Sequence, residues 1–362
     1  MSSKFSEMSR QGRPLFGYRT AEPQKHLYLV VDDWERGHSV YRVDDDDHFE
    51  SSLDTPFARM EAEHGDSRSL LAHGTKILAM QPKQSSPGIP AFDTVCNDSR
   101  TRLRGVCGRK PVYASVGDTL MAFAYPYVDV LVGPAPRPTE QMWHWTFKDE
   151  PPVTPPFASN YVSGYAVHPD GRTVFMSVRL YRPDPGRTIP FYGDRSSTYA
   201  FDVETRKFTY VGEWVLPFRG QACYDAELDA WVGLYLYNEQ EGVGRVCCCD
   251  VVPPDATDMP AWKLGVDVLF QHDDLHSGAT LVYMDGDDSK FCLVELRHRA
   301  PADDGVCPRP RFRDVNITSF TLKYDKEGNL RTGRRRGHAS MWYQVDHQDF
   351  HPANDHPVAF WM

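Results

Sequence analysis

The chain has 362 residues, 41% of them hydrophobic and 25% charged, close to ordinary globular usage and long enough to bury a large core. Its net charge of −10 argues against a nucleic-acid binder of the bulk electrostatic kind, and it contains no window of about 18 apolar residues that could cross a membrane as a helix. With 28 Pro, 26 Gly, 19 Phe, 18 Tyr and 8 Trp, the composition favours many short strands joined by turns over long helices.

Residues 1–24 mix Ser, Gly, Pro and charge without periodicity, which predicts a mobile arm. Met1–Thr20 has no apolar run of the signal-peptide kind, so the chain is expected in the cytoplasm or the nucleus. Lys25–Val43 predicts two strands, His26–Val31 and Ser39–Val43, joined by the charged turn Asp32–Gly37. Asp44–Asp47 reads as a solvated loop before a cation site, because carboxylates in a row repel unless metal is present. Phe57–Glu63 alternates as an edge strand.

The next unit has strands at Ser69–Ala72, Ile77–Met80, Ala91–Val95 and Thr101–Val106, with a turn at His73–Lys76. Val112–Val116, the turn at Gly117-Asp118, Leu120–Tyr125 and the aromatic Met142–Phe147 follow, and Pro151 to Pro156 interrupts a fourth strand. The clearest unit runs from Gly164 to Trp214. Its strands are Ser163–Val167, Thr173–Arg179, Thr198–Val203 and Phe208–Val211, and alternation puts Val174, Met176 and Val178 on one face. The turn His168-Pro-Asp-Gly-Arg172 joins the first two. Strands Gln221–Tyr224, Ala230–Tyr237, Gly244–Val251 and Trp262–Gly265 come next, then Thr280–Met284, Lys290–Leu296, Ile317–Tyr324 and Leu330–Arg334.

The first hairpin turns of successive units fall near Gly74, Gly117, Gly171, Asp229 and Asp287, separated by 43, 54, 58 and 58 residues. About four strands per period of that length is the signature of a β-propeller. A sixth unit assembles from both termini, with Ala339–Val345 as its first strand and the strands at 26–31, 39–43 and 57–63 as the rest. The expectation is therefore an all-β, six-bladed β-propeller over residues 25–346. Its ring is closed by a C-terminal strand in the N-terminal blade, and 347–362 form a tail.

Tyr199-Ala-Phe-Asp202, Phe208, Leu216-Pro217 and Arg219 are similar to the kelch repeat pattern, although the kelch glycine doublet is absent from every unit. The stretch from about His26 to Val345 resembles a family of uncharacterised plant proteins, greatly expanded in grasses. Glu63–Ser67, His73–Ile77, Val167–Gly171, Tyr224–Trp231, Gly244–Asp250 and Leu322–Asp325 carry that resemblance. It implies a kelch-like propeller and brings no established activity. Some plant kelch-like proteins carry an F-box for a ubiquitin ligase; an arm of about 25 residues is too short for that module.

No G-x-S-x-G, H-E-x-x-H or P-loop pattern occurs, and no G-x-G-x-x-G precedes a helix. Cys247-Cys248-Cys249 lie inside an apolar strand, where neighbours point to opposite faces, so they read as buried thiols without a disulfide among them. Cys247 and Cys249 share a face but lack the two further soft ligands of a thiolate metal site. His64, His73 and His168 sit at strand ends or turns. His347, His351 and His356 cluster with Asp346, Asp349 and Asp355, but Pro352 and Pro357 oppose the helix that would align them. Arg334–Arg336 reads as a solvated edge strand before an anion site or a nuclear signal.

These residues nominate no catalytic, cofactor or metal site. The expected function is a non-enzymatic scaffold that binds another protein through one propeller rim, without nucleic acid or membrane. The alternative is a six-bladed hydrolase with a metal in its central channel, for which Asp129, Asn160, Asp225 and Asp273 are the candidate ligands.

Overall fold

The computed structural model describes residues 24–43, 55–62, 70–80, 89–95, 98–103, 111–132, 153–179, 196–235, 243–284, 288–298, 312–333, 336–344 and 356–362. Apart from one 3-10 turn at Ser159–Tyr161, the regular structure among these residues is β-strand. No helix among them is long and apolar enough to cross a membrane.

The first strands are β1 (Leu27–Trp34), β2 (Gly37–Val43) and β3 (Ala58–Glu61), an antiparallel sheet in that order. The strands β4 (Leu70–His73), β5 (Lys76–Ala79), β6 (Ile89–Asp93) and β7 (Asp98–Leu103) make the second sheet. The third comprises β8 (Val112–Val116), β9 (Thr119–Ala124) and β10 (Tyr127–Val132). The next two units are β11 (Val162–Val167), β12 (Thr173–Val178), β13 (Ser197–Asp202) and β14 (Lys207–Gly212), then β15 (Gly220–Asp225), β16 (Ala230–Tyr235), β17 (Arg245–Asp250) and β18 (Trp262–Leu264). A parallel pairing of β11 with β15, Gly164 beside Gly220, joins them into one eight-stranded sheet. The last sheet holds β19 (His276–Tyr283), β20 (Lys290–His298), β21 (Phe312–Tyr324), β22 (Leu330–Thr332) and β23 (Arg336–Gln344). Finally β24 (Val358–Trp361) returns to the N-terminus and pairs with β1, Leu27 opposite Trp361.

Two expectations change. Ala339–Val345 does not pair with the N-terminal strands: β23 pairs with the first half of β21, leaving the second half to β22. The strand beside β1 comes instead from the segment read as a tail. It is only four residues long and follows a stretch of histidines and prolines, so its apolar run carries little weight in a sequence. In the third sheet the third strand is Tyr127–Val132, directly after a tight turn, and not Met142–Phe147, which lies outside the described residues.

Strand alternation builds the core. In β1, Leu27, Leu29 and Val31 pack on Val294 and Ile317 of the last sheet, whereas Tyr28 and Val30 pack on Ile77 and Phe92 of the second. In β12, Val174, Met176 and Val178 face the third sheet, with Met121 and Phe123, and Phe175 faces Trp231 and Cys249. Cys248 and Val246 turn the other way, onto Phe291 and Phe320. Leu78 and Met80 meet Leu120 and Leu131 between the second and third sheets. Sheets buried on both faces explain why the middle strands read as continuous apolar runs. Truncating a core side chain such as Phe175, fully buried, costs about 3–5 kcal/mol.

Candidate functional site

The antiparallel register gives each unit two ends of different character. At one end lie the turns β4–β5, β8–β9, β11–β12, β13–β14, β15–β16 and β21–β22, the last four each closed by an aspartate side chain. Asp170 accepts from the amides of Arg172 and Thr173, both at 2.9 Å. Asp202 accepts from Thr205, Asp225 from Glu227 and Leu228, and Asp325 from Glu327 and Asn329. These are Asx turns, in which a short carboxylate satisfies backbone N–H groups that the strands leave over. The opposite end carries the connections at 179–196, 213–219, 236–244, 265–275 and 299–311.

A cleft of about 490 Å³ opens on that second rim, between the 265–275 connection and the end of β20. Its floor is Leu269 and Phe270, its lip Val268 and Gln271, and its polar wall Asp273, Glu295 and Arg297. Glu295 and Arg297 are two apart on β20, so the pleat aims both at the cleft. The Arg297 guanidinium donates to Asp273 Oδ2 at 2.6 Å, to Glu295 Oε1 at 3.1 Å and to the Gln271 carbonyl at 3.4 Å. The hydrogen bond from Arg297, with the Leu275 amide on Oδ1, holds the Asp273 carboxyl below its ordinary range.

Beside the floor, the His276 ring stacks on Phe270 with centroids 4.6 Å apart and planes 8° apart. Its Nδ1 lies 3.1 Å from Nδ1 of His272, so one imidazole donates and the other accepts. Burial, then the charges of His272 and Arg297, lower the His276 pKa to about 4, which keeps that ring neutral at physiological pH. Its Nε2 is buried, with no hydrogen-bond partner among the described residues.

Gly244 positions the floor. It sits at φ +82°, its carbonyl accepts from the Leu269 amide at 2.7 Å, and a Cβ there would lie 2.0 Å from the Phe270 carbonyl oxygen. Only glycine fits such an approach in that conformation. Arg245 next to it donates to the Gly265 and Val266 carbonyls. The described lining sets an apolar floor beside a locked array of charges.

Of the residues nominated from sequence, only Asp273 belongs to this cleft. Asp225 is fully buried at the opposite end, where its Oδ1 also accepts from Ser289 at 2.7 Å. Asp129 lies on β10, 7% exposed, and burial pushes its pKa up to about 6. Asn160 is exposed in the 3-10 turn. These residues stand on separate elements, and among the described residues no group of three or more His, Cys, Asp or Glu could hold a metal ion. His73 contacts Ser115 Oγ at 2.7 Å, and His168 Nδ1 accepts from the Asp170 amide at 3.1 Å, both as turn histidines. Cys247 and Cys249 face the β11–β14 unit, where burial raises both thiol pKa values. Asp44–Asp47, His64, Arg334, Arg335, His347 and His351 lie outside the described residues. Sequence reading missed Phe270, Glu295, Arg297 and Gly244. The only local signal was Glu295-x-Arg297 on a strand, which an exposed strand end shows equally well.

A model of the family described as "Protein of unknown function (DUF1668)" matches residues 24–340. The chain belongs to the DUF1668 family. The DUF1668 match includes Gly244 and the whole cleft but ends before β24. No curated protein matches the sequence. Among solved structures, the chain is similar to the periplasmic gluconolactonase PpgL of Pseudomonas aeruginosa, at 14% identity over 89% of this chain and 100% of that one, with a TM-score of 0.42. It is similar to BamB of Moraxella catarrhalis at 13% identity, over 86% and 89% of the two chains, TM-score 0.36. TolB of Acinetobacter baumannii follows at 12% identity, over 93% and 66%, TM-score 0.39.

Proposed function

We propose that this chain is a non-enzymatic interaction scaffold, a six-bladed kelch-like propeller that binds another protein through its long-connection rim. The ring reading rests on the apolar clusters, each of which joins one unit to the next and the last to the first. In this reading β24 closes the ring by completing the N-terminal blade. The strands ending in aspartate at Asp202 and Asp325 support the kelch-like kinship. We place the protein in the cytoplasm or nucleus, where thiols such as Cys247, Cys248 and Cys249 stay reduced.

The observation that carries the binding reading is the Arg297 guanidinium held between Asp273 and Glu295 beside an apolar floor, on the rim where connections are long. Loops on a rigid scaffold are where binding residues concentrate. Capture from cell extract, with the full chain as bait, tests it. A Val268→Asp/Asp274→Lys double variant on this rim should lose the partner, and Lys326→Glu on the other rim should retain it. Equal capture by both, or turnover of a small-molecule substrate, would overturn the scaffold reading.

A further inference from the structure

The connection that forms the cleft is unusual in what it exposes. Val266, Val268 and Leu275 are 39%, 48% and 36% exposed, although they lie within ten residues of one another. Leu269 and Phe270 beneath them are 5% exposed. Val268 shares the cleft with Leu269 and Phe270, so apolar surface reaches from the floor to the lip, with room for one or two side chains in about 490 Å³.

The charges around it are unequal. Among the described residues, the lining sets Asp273 and Glu295 against the guanidinium of Arg297, and Asp274, next to Asp273 in the chain, is exposed. Asp267 and Arg245 are engaged elsewhere: Asp267 accepts from the Thr332 amide and hydroxyl, and Arg245 donates to backbone carbonyls. Arg297 does not cancel the carboxylates so much as hold them still, because a charge-assisted pair fixes both partners. Each carboxylate oxygen keeps a second lone pair for a further donor. An acidic occupant would meet like charge; a basic one would meet acceptors already oriented, in a chain of net charge −10.

We propose that the cleft receives an apolar side chain of a partner protein flanked by lysine or arginine. This rests on the scaffold reading and names the chemistry of its partner. The apolar side chain lies on Leu269 and Phe270, and the flanking cations face Asp273, Asp274 and Glu295. The exposed amide of Gln271 pairs with the segment's backbone.

Fluorescence anisotropy with labelled ten-residue peptides tests it, using the full chain. The peptides carry Lys-Leu-Lys, Glu-Leu-Glu or Lys-Ser-Lys at the centre of a Gly-Ser sequence. The Lys-Leu-Lys peptide should bind about tenfold more tightly than either of the others. Val268→Asp and Asp274→Lys change exposed side chains and should each weaken it several-fold. Lys326→Glu on the far rim should leave it unchanged. Equal binding of the three peptides, or indifference to both cleft variants, overturns the proposal. If the peptides fail while partner capture still depends on this rim, the scaffold reading stands and only the partner's chemistry is wrong. The chain itself carries Arg13-Pro-Leu-Phe-Gly-Tyr-Arg19. If deleting residues 1–23 tightens peptide binding tenfold or more, the cleft belongs to that segment and the external partner is refuted.

Discussion

Replacing Gly244 by alanine tests how the cleft floor is held. Two costs add at this position. The residue sits at φ +82°, where a Cβ is strained, and that Cβ would lie 2.0 Å from the Phe270 carbonyl oxygen, about an ångström inside any tolerated contact. Left-handed strain is about 1–2 kcal/mol, and displacing the 269–270 backbone strains or breaks the Leu269–Gly244 hydrogen bond for about 1 kcal/mol more. Disturbed packing of Phe270 against His276 brings the expected loss to about 3 kcal/mol, even after the smaller entropy of the unfolded alanine chain is allowed for. Gly171→Ala is the control, since φ is +70° there but nothing lies within 4 Å of the added carbon, so strain alone, about 1 kcal/mol, remains. Urea unfolding followed by tryptophan fluorescence compares the two, and only Gly244→Ala should also weaken the Lys-Leu-Lys peptide. Equal losses of stability at the two sites would refute the close approach and with it this account of the floor.

Asp129 has a folded-state pKa of about 6, above its ordinary 3.8, so the folded state holds its proton longer than the unfolded chain does. Stability should then fall by up to about 3 kcal/mol as pH rises from about 4 through 6, and Asp129→Asn should abolish that slope in urea midpoints measured from pH 4 to pH 7.5. A flat wild-type profile would sink the argument. The buried pair of Lys76 with Asp93, 2.5 Å apart, predicts that Lys76→Met costs about 3–5 kcal/mol, while Lys76→Met/Asp93→Leu recovers most of it in a double-mutant cycle. A single variant within 1 kcal/mol of wild type would contradict that. Removing residues 356–362 strips β24 from β1 and should lower the melting temperature by several degrees, whereas removing residues 1–23 should not. A C-terminal truncation that melts within about a degree or two of the full chain would contradict closure by β24.

Legibility followed the range of the interactions involved. The four strands from Val162 to Gly212 announced themselves, because alternation at Val174, Met176 and Val178 and the turn at Asp170 are both local. The opposite orientations of Cys247 and Cys248 followed from the pleat alone. β23 was assigned to the wrong neighbour because its alternation fits any sheet. Its choice of β21 depends on that strand being thirteen residues long and able to serve two partners. The expected strand Leu120–Tyr125 runs into Tyr125-Pro126, which is the two-residue turn to Tyr127–Val132, so the partner strand begins where proline marks a strand end.

The same distinction separates the two rims and accounts for where recognition can reside. On the turn rim, Asp170, Asp202, Asp225 and Asp325 bond amides only two to four residues away. That backbone is closed by its own sequence, and its shape is repeated from unit to unit. The 265–275 connection does the opposite. Gly265 donates to Val246, Val266 to Leu330 and Leu269 to Gly244, while Leu275 accepts from His298. Its shape is thus set by β17, β20 and β22 together. A surface assembled that way is specific to one place among the sheets, as the binding reading proposed above requires. It is also sensitive to a change such as Gly244→Ala, which lies on a different unit from Asp273, Glu295 and Arg297. Repetition builds the sheets, and the long-range bonds of one connection give them a surface of its own shape.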